Sequence, residues 1–163
     1  MPTPEPDRIA ELLAARKLLR VQPSVAFVNG RLKQAADNVD SAKSLTATNP
    51  RAAVTIAYDA IRFAVDAHMQ ANGLRVANEP GAHRASVSYS RQRMNDLVAD
   101  ADLDDYEALR EVRNAIEYPE PGTRNVLTED DATEIAGAAE RVVVAATRWW
   151  IQRAEELKRQ RPS

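Results

Sequence analysis

The sequence predicts an all-α fold, an antiparallel up-and-down bundle of five to six helices, from three observations. Apolar residues recur three and four positions apart over most of the chain, and proline, asparagine and glycine fall where those runs break. The apolar volume comes from Ala, Val, Leu and Ile, with aromatics at only 5%. No stretch alternates convincingly enough to be a strand. At 163 residues the chain is one domain long, with a core expected over about 24–153 and disordered ends at 1–6 and 160–163.

Taken in order, Ile9, Leu12 and Leu13 mark a short opening helix, and Gln22-Pro23-Ser24 breaks it while offering Ser24 as the next cap. Val25, Val28, Leu32, Ala35, Val39 and Ala42 then share one narrow stripe of a long helix, as at a bundle seam. That helix ends over Thr46 to Asn49, and Asn49-Pro50 starts the third with a capping side chain and a first-turn proline. The third helix, roughly Pro50 to Asn72, carries Val54, Tyr58, Ile61, Val65 and His68 on one face and Ile56, Ala60, Phe63 and Ala67 beside it, which predicts a central position. Gly73 is placed to stop it.

The segment Leu74 to Ala82, with Asn78-Glu79-Pro80-Gly81, reads as a loop. A fourth helix is expected from about His83 to Ala99, with Val87, Met94, Leu97 and Val98 apolar. Asp102 opens the fifth, where Leu103, Tyr106, Leu109, Val112 and Ile116 recur and Pro119-Glu120-Pro121-Gly122 makes the stop. Thr128 and Asp131 form a capping-box variant for the last helix, whose face of Ile135, Ala139, Val142, Ala146, Trp149 and Arg153 runs to about Arg161. The shared core is expected to contain Val25, Leu32, Tyr58, Ile61, Val65, Leu109, Ile116, Val142 and Trp149. Adjacent residues point about 100° apart, so of Trp149 and Trp150 one belongs to the core and the other is partly exposed, toward a subunit interface.

Composition narrows the chemistry. Cysteine is absent and only His68 and His83 are available, so no disulfide, thiolate or sulfur-based zinc chemistry is expected, and neither a metal nor a cofactor. There is no GxGxxG and no P-loop. No run approaches the roughly 18 apolar residues of a membrane span, and Met1 to Pro6 lacks the pattern of a signal peptide, so a cytoplasmic protein without a membrane partner is expected. The net charge of -2 is unevenly spread: eight acids crowd residues 100–120 against Arg110 and Arg113, a crowding that the helix dipole favours near the first turn. Basic residues collect at Arg16, Lys17 and Arg20, at Arg84, Arg91 and Arg93, and at Arg148, Arg153, Lys158, Arg159 and Arg161. Either they are scattered solvated faces or a phosphate-binding face is assembled from separate segments.

One cluster is hard to explain by folding alone: Arg110-Glu111-Val112-Arg113-Asn114-Ala115-Ile116-Glu117-Tyr118-Pro119. At 100° per residue Arg113 falls between Tyr106 and Leu109, at the border of the apolar face, where packing can hold a guanidinium with its donor fork toward an anion. Tyr118 follows five positions later, in the last turn before proline. The alternative is an arginine paired with Glu117 and a tyrosine covering the bundle end. Arg62 also precedes His68 at a similar spacing, but the two lie about 120° apart around the helix, and His68 sits on the apolar stripe as a core residue.

Tyr58-Asp59-Ala60-Ile61-Arg62, the exit Ala71-Asn72-Gly73-Leu74-Arg75, the glycine-bearing loop up to His83, and Arg113-Asn114-Ala115-Ile116-Glu117-Tyr118-Pro119 together resemble a HEPN domain of actinobacterial type, over roughly Ser24 to Arg153. The resemblance implies a helical bundle, often a homodimer, of toxin-antitoxin, phage-defence or RNA-processing systems. RNA is its implied ligand, and a nucleotidyltransferase or other antitoxin its implied partner. Active members are metal-independent ribonucleases whose motif is arginine, four to six residues, then histidine. Carried over, the arginine is Arg113, its polar neighbour Asn114, and the histidine position holds Tyr118. A phenol with a pKa of about 10 is poorly matched to moving a 2′-hydroxyl proton at pH 7. The resemblance therefore implies phosphate binding at Arg113 without cleavage, or cleavage with Tyr118 or His83 in the acid-base role, or a protein-binding adaptor in which Arg113 is structural.

Overall fold

The computed structural model describes residues 7–119, 121 and 127–160. Of the expected disorder at 1–6 and 160–163, Gln160 is instead the last residue of a helix, and the rest, with Glu120 and Gly122 of the expected turn, lies outside the described residues. Helices dominate: α1 (Arg8–Ala14), α2 (Val25–Leu45), α3 (Pro50–Ala71), α4 (Ala82–Arg93), α5 (Asp100–Glu117) and α6 (Glu129–Gln160). The helical bundle expected from periodicity is the observed architecture.

Three helix starts are those the sequence marks, whereas α5 begins at Asp100, two residues ahead of the expected Asp102. Ser24 Oγ accepts from Phe27 N at 3.2 Å, and Asn49 Oδ1 accepts from Ala52 N at 3.2 Å, with Pro50 in the first turn. Thr128 and Asp131 cap each other reciprocally, Asp131 N donating to Thr128 Oγ1 at 3.1 Å and Thr128 N to Asp131 Oδ2 at 3.0 Å. The α4 boundary differs from expectation: the helix stops at Arg93 rather than near Ala99. Asn95 and Asp96 compete for the backbone and favour turns, and Met94 and Val98 fill the core from the turn instead.

Strands are the other difference. Leu18–Arg20 (β1) pairs antiparallel with Leu74–Val76 (β2), in the register Leu18↔Val76, Leu19↔Arg75 and Arg20↔Leu74. Three residues are too few to show alternation, and the pairing is non-local. The ribbon begins at Gly73, whose φ of 75° is one few side chains adopt; a Cβ there would also stand 3.2 Å from the Val21 carbonyl. Val21 N donates back to Gly73 O at 2.9 Å, fastening the two segments.

Helix α3 is the hub, packing on α2, α4, α5, α6 and β2. Its alanines Ala53, Ala57, Ala60, Ala64 and Ala67 are fully or almost fully buried, which lets neighbouring helices approach closely. The pairs Lys43–Glu140 and Trp150–Asn29 run α2 antiparallel to α6. The α2 stripe is buried from Val28 to Ala42, but Val25, in the first turn, is 56% exposed. Ile116 and Trp149 are only partly buried, whereas Trp150 is 7% exposed and donates Nε1–H to Asn29 Oδ1 at 2.8 Å. The core tryptophan is thus Trp150, not the expected Trp149. The remaining expected core residues, Leu32, Tyr58, Ile61, Val65, Leu109 and Val142, are buried.

After α3, β2 and residues 77–81 carry the chain back alongside that helix, and Gly81, at φ 97°, turns it into α4. This return sets His83 beside the middle of α3 rather than its end.

Candidate functional site

Tyr58 anchors the site from the apolar face of α3. A buried phenol still needs a partner for its hydroxyl, and the Tyr58 hydroxyl lies 2.7 Å from His83 Nδ1. The two rings stack with centroids 5.7 Å apart, and the wholly buried Tyr106 ring of α5 closes on both, 5.9 Å from Tyr58 and 5.4 Å from His83. Tyr106 is itself satisfied by Ser86 Oγ at 2.7 Å.

Arg113 comes from α5, its guanidinium 5.3 Å from the Tyr58 ring centroid. Its Nη2 also lies 3.4 Å from Glu117 Oε1, so the carboxylate pairing considered from sequence occurs together with the aromatic packing. A third of the side chain, 33%, remains exposed, and Glu117 at the surface holds the other end only through one turn of helix. Asn114 is exposed, and its carbonyl accepts from Tyr118 N at 2.8 Å. Tyr118 caps α5 with 76% of its surface in solvent, and its hydroxyl has no partner among the described residues. The structure therefore brings Arg113 and His83 together on Tyr58 and leaves Tyr118 outside.

Around the phenol three arginines, Arg62, Arg113 and Arg110, stand against the carboxylate of Asp59. Burial raises the Tyr58 pKa, while Arg62, Arg113 and Arg110 act against that rise by favouring negative charge at the oxygen. Arg62 is itself shared with Asp59, at 3.3 Å, and with the Phe63 ring. His83 is shifted down, first by burial and then by Arg110, with Glu107 opposing, so the ring is neutral at pH 7. Its Nδ1 is taken by Tyr58 and its Nε2 is buried.

Outward from His83, two adjoining grooves of about 420 and 470 Å³ run between α1, α4 and α5 and share Arg8, Arg84, Ser88 and Arg110. Arg84 and Arg110 have no carboxylate partner among the described residues, whereas Lys17 pairs with Glu79 at 2.9 Å and Arg8 with Glu11 at 2.8 Å. Of the basic segments separate in sequence, two meet at this groove, Lys17 with Arg84 of α4, and Arg110 joins them from the acidic run of α5. Arg91, by contrast, is spent on Asp104 and Glu107. Such a surface offers planar, permanently charged donors to phosphate oxygens.

Sequence reasoning missed Tyr58 and Arg62 as parts of the site. A tyrosine on the innermost stripe of a central helix was the available signal, because its hydroxyl requires a polar neighbour there. Arg62 and His68 do not meet: His68 is 5% exposed and bonds to Tyr89 through Nδ1 at 2.7 Å, in the core as its stripe position predicted. Among the described residues no group of three acidic or histidine side chains is arranged to hold a metal, and no helix is long and apolar enough to cross a membrane. No protein-family model matches this chain, and comparison with curated proteins finds no match.

Proposed function

We propose that this chain is a HEPN-like binding protein that holds the phosphate backbone of RNA at the arginine cluster around Tyr58 without cutting it, in a toxin-antitoxin, phage-defence or RNA-processing setting. The observation that carries this reading is the convergence of Arg62, Arg110 and Arg113, from two helices, on one buried phenol beside the open groove with Arg84. Binding without cleavage is favoured because His83 Nδ1 is engaged by Tyr58 and its Nε2, though it has no hydrogen-bond partner, is shut off from the surface. A base must reach within hydrogen-bonding distance of the proton it abstracts.

Single-stranded RNA binding, followed by fluorescence anisotropy over a salt series, tests it. Arg113→Ala is expected to weaken binding and to flatten the plot of log affinity against log salt by about 0.7 to 1 unit, one phosphate contact. A slope unchanged by both Arg113→Ala and Arg110→Ala would assign the arginines to packing and favour a protein-binding antitoxin or adaptor.

A second reading, a metal-independent endoribonuclease, draws on one observation: His83 is kept in its neutral, proton-accepting form at pH 7 inside the same cluster. Cleavage in the presence of a chelator, lost in His83→Ala, would promote that reading over the first. The bundle is proposed to work as a homodimer, with the exposed Ile151 and the partly buried Trp149 of α6 near the contact. Light scattering at micromolar concentration should then give about twice the 18.0 kDa chain mass; a single-chain mass would refute it.

A further inference from the structure

A second cavity, of about 460 Å³, lies on α3 roughly ten residues beyond the Tyr58 cluster, bounded by α1, β1, α4 and α6. That volume is within the range of small-molecule sites. His68, Asn72, Arg20, Arg93, Trp149 and Asp7 border it with a few aliphatic side chains.

The hydrogen bonds at its floor favour one tautomer of His68. Asn72 Nδ2 donates to the His68 carbonyl at 2.9 Å and to the Tyr89 oxygen at 3.3 Å. The Tyr89 hydroxyl has two possible acceptors, the His68 carbonyl at 3.4 Å and His68 Nδ1 at 2.7 Å, and the shorter contact assigns its proton to the nitrogen. A neutral imidazole that accepts at Nδ1 carries its hydrogen on Nε2. That N–H has no acceptor among the described residues, and burial, which brings the His68 pKa down to about 4, keeps the ring neutral. As His68 borders the cavity, that donor can serve an acceptor bound there.

The surroundings describe that acceptor. Trp149 lies over the same imidazole, centroids 4.0 Å apart, and supplies a flat wall. Arg20 has no carboxylate partner among the described residues, and Arg93 meets Asp7 only loosely, at 3.8 Å. Asp7 beside Arg93 and the more distant Asp96, whose charge reaches His68, offset part of the charge of the two arginines, which favours a monoanion over a dianion.

We propose that this cavity binds a small aromatic carboxylate, its oxygens accepting from His68 Nε2–H, Arg20 and Arg93 while its ring lies against Trp149. The site is separate from the Tyr58 cluster and does not depend on RNA binding.

Calorimetric titration of the full chain with 2-naphthoate tests the assignment, with 2-naphthyl phosphate and the neutral 2-naphthalenemethanol as comparisons. Saturable one-to-one binding of the carboxylate is expected, weakened about tenfold or more by Arg20→Gln or Arg93→Gln, the loss of one charge-assisted hydrogen bond. Arg20 is exposed on β1, so its replacement leaves folding intact, and Lys33→Gln on the far, solvated side of α2 should bind as the parent does. Long-range ¹H–¹⁵N spectra should show His68 as the Nε2–H tautomer, with that resonance moving on saturation. No heat up to millimolar naphthoate would overturn the proposal. So would unchanged affinity in both arginine variants, equal binding of the alcohol, or tighter binding of the phosphate.

Discussion

Asp66→Asn is expected to raise the unfolding free energy by up to about 3 kcal/mol at pH 7 and to leave it almost unchanged near about pH 3.5. Asp66 lies on α3 among packed side chains, and burial pushes its carboxyl up to about 6, with Arg62 and Arg31 only partly offsetting the loss of hydration. Its folded pKa therefore stands above the unfolded value of 3.8. The folded state holds the proton more tightly, so the contribution to stability is present below about pH 4 and disappears as pH rises through about 6. At neutral pH the native protein carries a poorly solvated carboxylate that asparagine would not. Urea denaturation at several pH values reads this directly. Equal stability of the two proteins at pH 7, or a difference that does not close on acidification, would mean that Asp66 is solvated.

His68 titrates in the opposite sense, and the Asp66→Asn protein should uncover it. Burial holds His68 at about 4 against an ordinary 6.5, so between those values the unfolded chain binds a proton that the native state refuses. Stability should fall by about 3 kcal/mol as pH drops from about 6.5 to 4 in Asp66→Asn, with His83, also shifted down, adding in the same direction. In the natural protein the Asp66 gain covers nearly the same interval and cancels most of the loss, leaving a flat profile. Histidine resonances followed through the titration give the independent check, with a His68 midpoint near 4. A midpoint near 6.5 would defeat the account.

Much of this fold was legible because helix boundaries are local chemistry. Ser24, Asn49 and the Thr128–Asp131 pair each cap within three residues, so a linear pattern is enough to find them. The β1–β2 ribbon joins segments more than fifty residues apart and has no such signature. Arg113 could be placed at the edge of the apolar face from helical angles alone. Its companion could not, since the meeting of His83 with Tyr58 depends on how far β2 returns the chain along α3, a tertiary quantity. The same reason made Tyr118 look like a member of the cluster: five positions along the sequence is close, but past the end of a helix it leads into solvent.

The hydrogen bond between Trp150 and Asn29 spans 121 residues of sequence, whereas the α2–α3 hairpin is closed by the short Thr46–Asn49 connection. In kinetic terms the two contacts belong to different stages. Bringing distant segments together costs chain entropy before packing repays it, which favours forming the hairpin ahead of the docking of α6. The seam between α2 and α6 is closed by the contacts most distant in sequence, and the indole of Trp150 sits on that seam.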